Sequence, residues 1–153
     1  MSYTLLIIDM QKKFYAARDK NVQESCKKYI LRAIKNRASI IFIEFSNHGP
    51  TIPCLTRLVK NYDKVFFTTK NEWDGSKHSL TVMNNYKLNK NKLRVCGVFT
   101  DCCVLATVQG LVKKSPTSKI EIISSACGGI SPISHNRSIA KMLKLENVKE
   151  YNK

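Results

Sequence analysis

The chain has 153 residues, 43% of them hydrophobic, and its 26 Lys and Arg against 11 Asp and Glu give a formal net charge of +15. That length suits one domain, residues 1–153, built round a single core, and the apolar content is that of a globular protein. No stretch approaches the roughly 20 consecutive apolar residues of a membrane-spanning helix, so no membrane partner is expected.

The cations come in twos and threes, as in Lys12-Lys13, Lys27-Lys28 and Lys113-Lys114. No long basic tract and no aromatic–basic interleaving accompanies them. The charge therefore reads as a solvated Lys-rich surface, and nucleic acid is not an expected partner. Cysteines stand at 26, 54, 96, 102, 103 and 127 without a C-x-x-C pair or an H-x(3–5)-H run, which disfavours a structural zinc site. Adjacent Cys102 and Cys103 cannot readily bridge each other, and reduced thiols are expected.

In chain order, MSYTLLIIDM has no basic start and ends its apolar run in an aspartate. It reads as a buried strand over residues 4–8, not as a signal peptide, and a soluble cytoplasmic chain is expected. Val22, Cys26, Tyr29, Ile30, Ala33 and Ile34 then recur at helical spacing. Residues 39–43 (SIIFI) form a second buried strand. After Pro50 and Pro53 a short helix is predicted over 55–61. VFFTT at 65–69 is a third strand, and Leu80, Met83, Asn84 and Tyr86 suggest a helix. Leu93 to Val98 is a fourth strand.

Val104, Val108, Leu111 and Val112 then predict a helix starting near Asp101 or Cys102, with Asp101 as its N-cap. IEII at 120–123 is a fifth strand. Gly128, Gly129 and Pro132 mark a loop, residues 134–143 a helix, and 148–151 a short last strand. Continuous apolar strands alternating with amphipathic helices predict a three-layer α/β/α fold on a mostly parallel sheet of five or six strands.

Ligands of an open parallel sheet bind beyond the carboxyl ends of its strands. Three reactive residue types fall on that edge: Asp9 after the first strand, Lys70 after the third, and Cys102 or Cys103 in the turn after the fourth. A helix start and a nearby lysine are expected to lower a thiol's pKa, and a carboxylate within reach can take its proton. Free N–H groups at the helix start suit an oxyanion.

LLIIDMQKKF, FFTTK and GVFTDCCVLATV together resemble the isochorismatase-like cysteine hydrolases, the group that holds nicotinamidases and N-carbamoyl amidases. The likeness runs from the first strand to the SSACGG loop and His135. It implies an isochorismatase-like, Rossmann-like hydrolase fold. It also implies a triad of Asp9 as general base, Lys70 as thiolate-stabilising cation and Cys103 as nucleophile. Cys103 is the match because Gly97, Val98, Thr100 and Val104 fall in register with the family's G-V-x-T-x-x-C-V turn. A cis Val98–Phe99 peptide and an oxyanion hole from the N–H groups of Phe99 and Cys103 are further implications. The implied reaction is attack on a small amide or carbamoyl carbon, then hydrolysis of a thioester. Isochorismatases proper lack the cysteine, which favours an amide over a vinyl ether. Relatives often form homo-oligomers.

Nicotinamidases carry a metal site of one aspartate and two histidines after the second strand, where this chain reads EFSNHGPTIPC. His48 is the one histidine there, with Asn47 beside it, so no metal or other cofactor is expected; three protein ligands are the usual minimum for catalytic zinc. Phe14 and Trp73 are candidate pocket walls for a flat substrate, with packing as the competing role for each. Gln11 is expected to support the turn after Asp9. His78 and His135 read as surface or helix-start residues, and Cys26, Cys54, Cys96 and Cys127 as buried filler. The competing function is a non-catalytic binding protein on the same fold, using its basic surface for nucleic acid or a protein partner.

Overall fold

A computed structural model describes residues 2–153. Six strands, β1 (Thr4–Ile8), β2 (Ser39–Phe45), β3 (Val65–Lys70), β4 (Lys92–Val98), β5 (Lys119–Gly128) and β6 (Val148–Glu150), form one sheet in the order β3-β2-β1-β4-β5-β6. Every pairing is parallel. The helices are α1 (Lys20–Lys35), α2 (Pro53–Thr56), α3 (Ser76–Asn85), α4 (Leu105–Lys114) and α5 (Pro132–Leu143). α1 packs on α2 and across the sheet, whereas α3, α4 and α5 pack side by side on the other face. This is the predicted three-layer α/β/α architecture. None of the described helices is long and apolar enough to cross a membrane.

The order of elements follows from burial. β1 lies at the centre with every residue buried, as its uninterrupted Leu-Leu-Ile-Ile run requires of a strand covered on both faces. In α1 the residues Val22, Cys26, Tyr29, Ile30 and Ala33 are buried and recur at helical spacing, so one stripe faces the sheet. The Asp19 carboxylate caps that helix by accepting the N–H groups of Asn21 (2.8 Å) and Val22 (3.3 Å).

The chain runs outward from β1 to β2 and β3, then returns to place β4 on the other side of β1. The topological switch point therefore lies between β1 and β4, where such sheets open a crevice at their carboxyl ends. Register fixes what meets there: Ile8 pairs with both Ile43 and Gly97, and Phe45 pairs with Lys70.

Several boundaries differ from the sequence expectation. β5 continues to Gly128, past the expected end at Ile123, after its pairing with β4 shifts register between Val95 and Gly97. The expected 55–61 helix is two short turns, Pro53–Thr56 and a 3-10 turn Arg57–Val59. The segment after β4 is a π-helical turn, Thr100–Val104, and α4 proper starts only at Leu105. Asp101 does not cap it. Its carboxylate instead accepts the Ile130 N–H at 3.0 Å, because the loop after β5 lies within its reach.

Candidate active site

Asp9 leaves β1 in the left-handed region, φ 51°, a conformation that Asp tolerates better than most residues. Its N–H donates to the Ile43 carbonyl at 2.8 Å, and its own carbonyl accepts the Gln11 N–H at 2.7 Å. These bonds fold the strand end sharply and bury the Asp9 side chain in the crevice. Lys70, the last residue of β3, is likewise buried. Its Nζ donates to Asp9 Oδ2 at 3.0 Å and to the Glu72 carbonyl at 3.0 Å. The same ammonium lies 4.3 Å from the centre of the Phe45 ring.

Cys103 sits in the π-helical turn after β4, only 5% exposed. The Asp9 carboxylate and the Lys70 ammonium both lie close enough to act on the ionisation of its thiol. The structure thus brings Asp9, Lys70 and Cys103 together, from three strand ends, at the switch point. Asp9 Oδ1 is buried and has no hydrogen-bond partner among the described residues.

The electrostatics correct one expectation. The Cys103 thiol is not acidified but pushed up to about 12. Burial contributes most and the Asp9 charge next, and the opposing pull of Lys70 is too small to reverse them. Burial also raises the Asp9 carboxyl above its ordinary value, offset in part by Lys70, the thiol and the charge on His48. Carboxyl and thiol share one buried place, and each makes the other's ionisation harder. Cys102 differs: it is half-buried, and apart from burial only Asp101 acts on it.

The Val98–Phe99 peptide is cis. The Phe99 carbonyl accepts the N–H groups of Cys102 (3.0 Å) and Val104 (3.1 Å), and the Cys103 N–H between them is not among its donors. Gly97 just before it has φ 123°, and any Cβ there would collide with the Ile8 backbone.

Phe14 is half-buried and forms an aromatic wall. It stacks on His48 (5.0 Å, 10° between planes) and meets Phe99 edge-on at 5.8 Å. Trp73 stands apart from this wall. Its side chain is 59% exposed, and only its carbonyl is tied inward, to Thr107 Oγ1 at 3.4 Å. Gln11 supports the turn as expected. Its amide donates to the Phe45 (2.9 Å) and Gly49 (2.7 Å) carbonyls and accepts the Phe45 N–H (2.8 Å).

His48 places Nδ1 2.7 Å from the Ser46 carbonyl, so that nitrogen carries the proton. No group of three or more His, Cys, Asp or Glu able to hold a metal occurs among the described residues.

A clasp behind the turn has no counterpart in the sequence expectations. Thr100 Oγ1 and His135 Nδ1 lie 2.7 Å apart. Ile130 is held at both ends, its N–H by Asp101 and its carbonyl by the Tyr15 hydroxyl at 2.7 Å. Tyr15 in turn meets the Phe99 ring at 4.9 Å. His135, expected as a helix-start residue, does lie in the first turns of α5, and it also buttresses the π-helical turn.

The chain belongs to the isochorismatase family: the isochorismatase domain matches residues 3–148. The structure is similar to the nicotinamidase from Staphylococcus aureus, with 18% identity, a TM-score of 0.82 and 98% of each chain covered. It is similar also to the pyrazinamidase of Pyrococcus horikoshii in complex with zinc, with 19% identity, a TM-score of 0.75 and 99% of each chain covered. A ribonuclease from Caenorhabditis elegans shares the fold at 16% identity and a TM-score of 0.79, over 97% of this chain and 76% of that one. At these identities the likeness is one of fold. No curated protein sequence matches the chain.

Proposed function

We propose that this protein is a cysteine-dependent amidohydrolase that cleaves a small amide or carbamoyl substrate through a thioester. One observation carries the reading: a buried carboxylate, a buried ammonium and a buried thiol converge where β1 and β4 diverge. A thiol held near 12 is unreactive at rest. Asp9 therefore removes the proton as sulfur attacks, with no standing thiolate. The new S–C bond sends the carbonyl electrons onto oxygen, which the N–H groups of Phe99 and Cys103 receive. Collapse breaks the C–N bond, and the proton on Asp9 passes to the leaving nitrogen. Water then loses a proton to Asp9 and attacks the thioester. The acid departs, and Cys103 recovers its proton. Lys70 holds Asp9 in place and compensates the negative charge as it leaves the carboxylate for the carbonyl oxygen.

Zinc does not fit the residues present. His48 is the one histidine in its segment, Glu44 is engaged by the Thr51 N–H and hydroxyl, and Lys12, Lys13 and Arg18 line the same cleft as His48 and would repel a divalent ion. In this reading the reaction runs on the chain's own side chains and backbone N–H groups, with water as the second nucleophile.

The test is rapid quenching with intact-mass and peptide mapping over a panel of nicotinamide, pyrazinamide, N-carbamoyl acids and simple amides. An acyl adduct on the Cys103 peptide is expected with any amide that is turned over. Turnover with no such adduct, or with one on Cys102, removes the proposed mechanism.

A further inference from the structure

Beside the aromatic wall lies a cleft of about 500 Å³, lined by Lys12, Lys13, Arg18, His48, Pro50 and Ile52 among others, with no acidic residue in its lining. Three cations share one opening, and none of the three makes an ion pair among the described residues. Two are positioned by backbone carbonyls: Arg18 Nη1 donates to Lys12 O and Lys13 Nζ to Asn47 O, both at 3.1 Å. Gathering like charges without a counter-ion is unfavourable, and an anion in the cleft relieves it.

The cleft borders the reactive centre at His48, which lines it and stacks on Phe14. Its far wall is pinned to the residues that follow Asp9, by Ile52 N–H to the Met10 carbonyl (2.8 Å) and by the Gln11 amide to the Gly49 carbonyl (2.7 Å). His48 also lies close enough for its charge to be felt at Asp9. A ligand lying from Cys103 across Phe14 and His48 would bring its other end to these cations.

We propose that this cleft binds an anionic group, so that the substrate is an amide carrying a carboxylate or similar anion remote from the scissile bond. This rests on the amidohydrolase reading for the bond cleaved, but not for the anion. Pro50 and Ile52 give the cleft apolar surface for a short carbon chain, and the cations take its charged end. Arginine and lysine together suit a carboxylate, the first by its planar fork and the second as a point charge.

The experiment measures binding to Cys103→Ala by calorimetry, comparing succinamate, glutaramate and adipamate with butanamide, pentanamide and hexanamide. At least one anionic member is expected to bind about tenfold more tightly than its neutral counterpart. That preference should fall to about one in a protein that also carries Lys12→Gln, Lys13→Gln and Arg18→Gln. Raising salt from about 0.05 to about 0.5 M should shrink it without any cation mutation, which keeps the test open if the multiple variant folds poorly. Equal affinity throughout the series, or a preference that survives the three substitutions, overturns the proposal. Amide turnover with no preference for charge removes the anion site and leaves the amidohydrolase. An anion preference in a protein that hydrolyses no amide does the reverse.

Discussion

Cys102 and Cys103 are neighbours in sequence, yet their side chains meet different chemistry. Only Cys103 is reached by both Asp9 and Lys70. The Asp9 charge is a leading reason why its thiol stands near 12, so Asp9→Asn should lower that value. Alkylation of Cys103 by iodoacetamide at pH about 8–9 should then be faster in Asp9→Asn than in the parent, while amide turnover falls by about 10²–10⁴. A variant that gains thiolate and loses catalysis separates the base from a residue that merely tunes the nucleophile. Slower alkylation together with full turnover would contradict the assignment. The pH profile follows with the same sign. In the proposed mechanism Asp9 works ionised, and its pKa is raised, so activity should be lost as pH falls through a value above the ordinary 3.8. The meeting of these three residues was legible because Asp9 and Lys70 close strands and Cys103 lies in the turn after a third, all on one sheet edge. The elevated thiol was not, because burial and the nearness of a carboxylate are properties of packing.

At the level of elements, the site depends on how β4 ends. Gly97 pairs with Ile8 so closely that a Cβ there would overlap the Ile8 backbone, and its φ of 123° is one that residues with side chains rarely adopt. Gly97→Ala must push β4 away from β1 just where Asp9 and the π-helical turn diverge. A loss of about 1–3 kcal/mol or more is expected from the overpacking, read as a lower melting temperature, with activity falling further than stability explains. Unchanged melting and activity would show that the contact is not limiting. The strands themselves were readable from continuous apolar runs. β5 was read short because Ser124 and Ser125 interrupt its apolar pattern while its pairing resumes at Cys127 and Gly128. The start of α4 was misread because an aspartate before a buried stripe is the usual cap signature, whereas Asp101 is taken by the Ile130 N–H. The clasp by Tyr15, Ile130 and His135 left no sequence signal, since two of its hydrogen bonds end on backbone atoms.

For the whole molecule, the charge of +15 is handled partly by one buried acid. Glu121 on β5 meets Arg94 at 2.8 Å, with Lys149 at 3.3 Å and Lys92 at 3.5 Å. The Arg94 guanidinium lies between the rings of Tyr3 (3.8 Å) and Tyr151 (3.7 Å), which joins β4 to residues near both ends of the chain. Burial alone would raise the Glu121 carboxyl, but Arg94 first, and then the two lysines, hold it below its ordinary range. Its folded pKa lies below the unfolded one. Its stabilisation is therefore present above the unfolded value and lost as pH falls through the folded one. Glu121→Gln should cost about 2–4 kcal/mol near neutral pH, from the cations left without their partner. It should also flatten the decline of melting temperature on acidification below pH about 4.5. An equally steep acid decline in the variant would assign that dependence to other carboxylates. The sheet, its parallel strands and the edge where Asp9, Lys70 and Cys103 meet were thus readable from pattern alone. The cationic cleft and the Arg94 sandwich were not, because they join residues far apart in sequence.

The central claim is that Cys103, and not its neighbour, carries out the hydrolysis. Ammonia release from the best amide of the panel, measured for the parent, Cys102→Ala and Cys103→Ala, tests it most directly. Cys102→Ala is predicted to retain most of the parent rate and Cys103→Ala to fall to background. Full activity in Cys103→Ala would contradict the account.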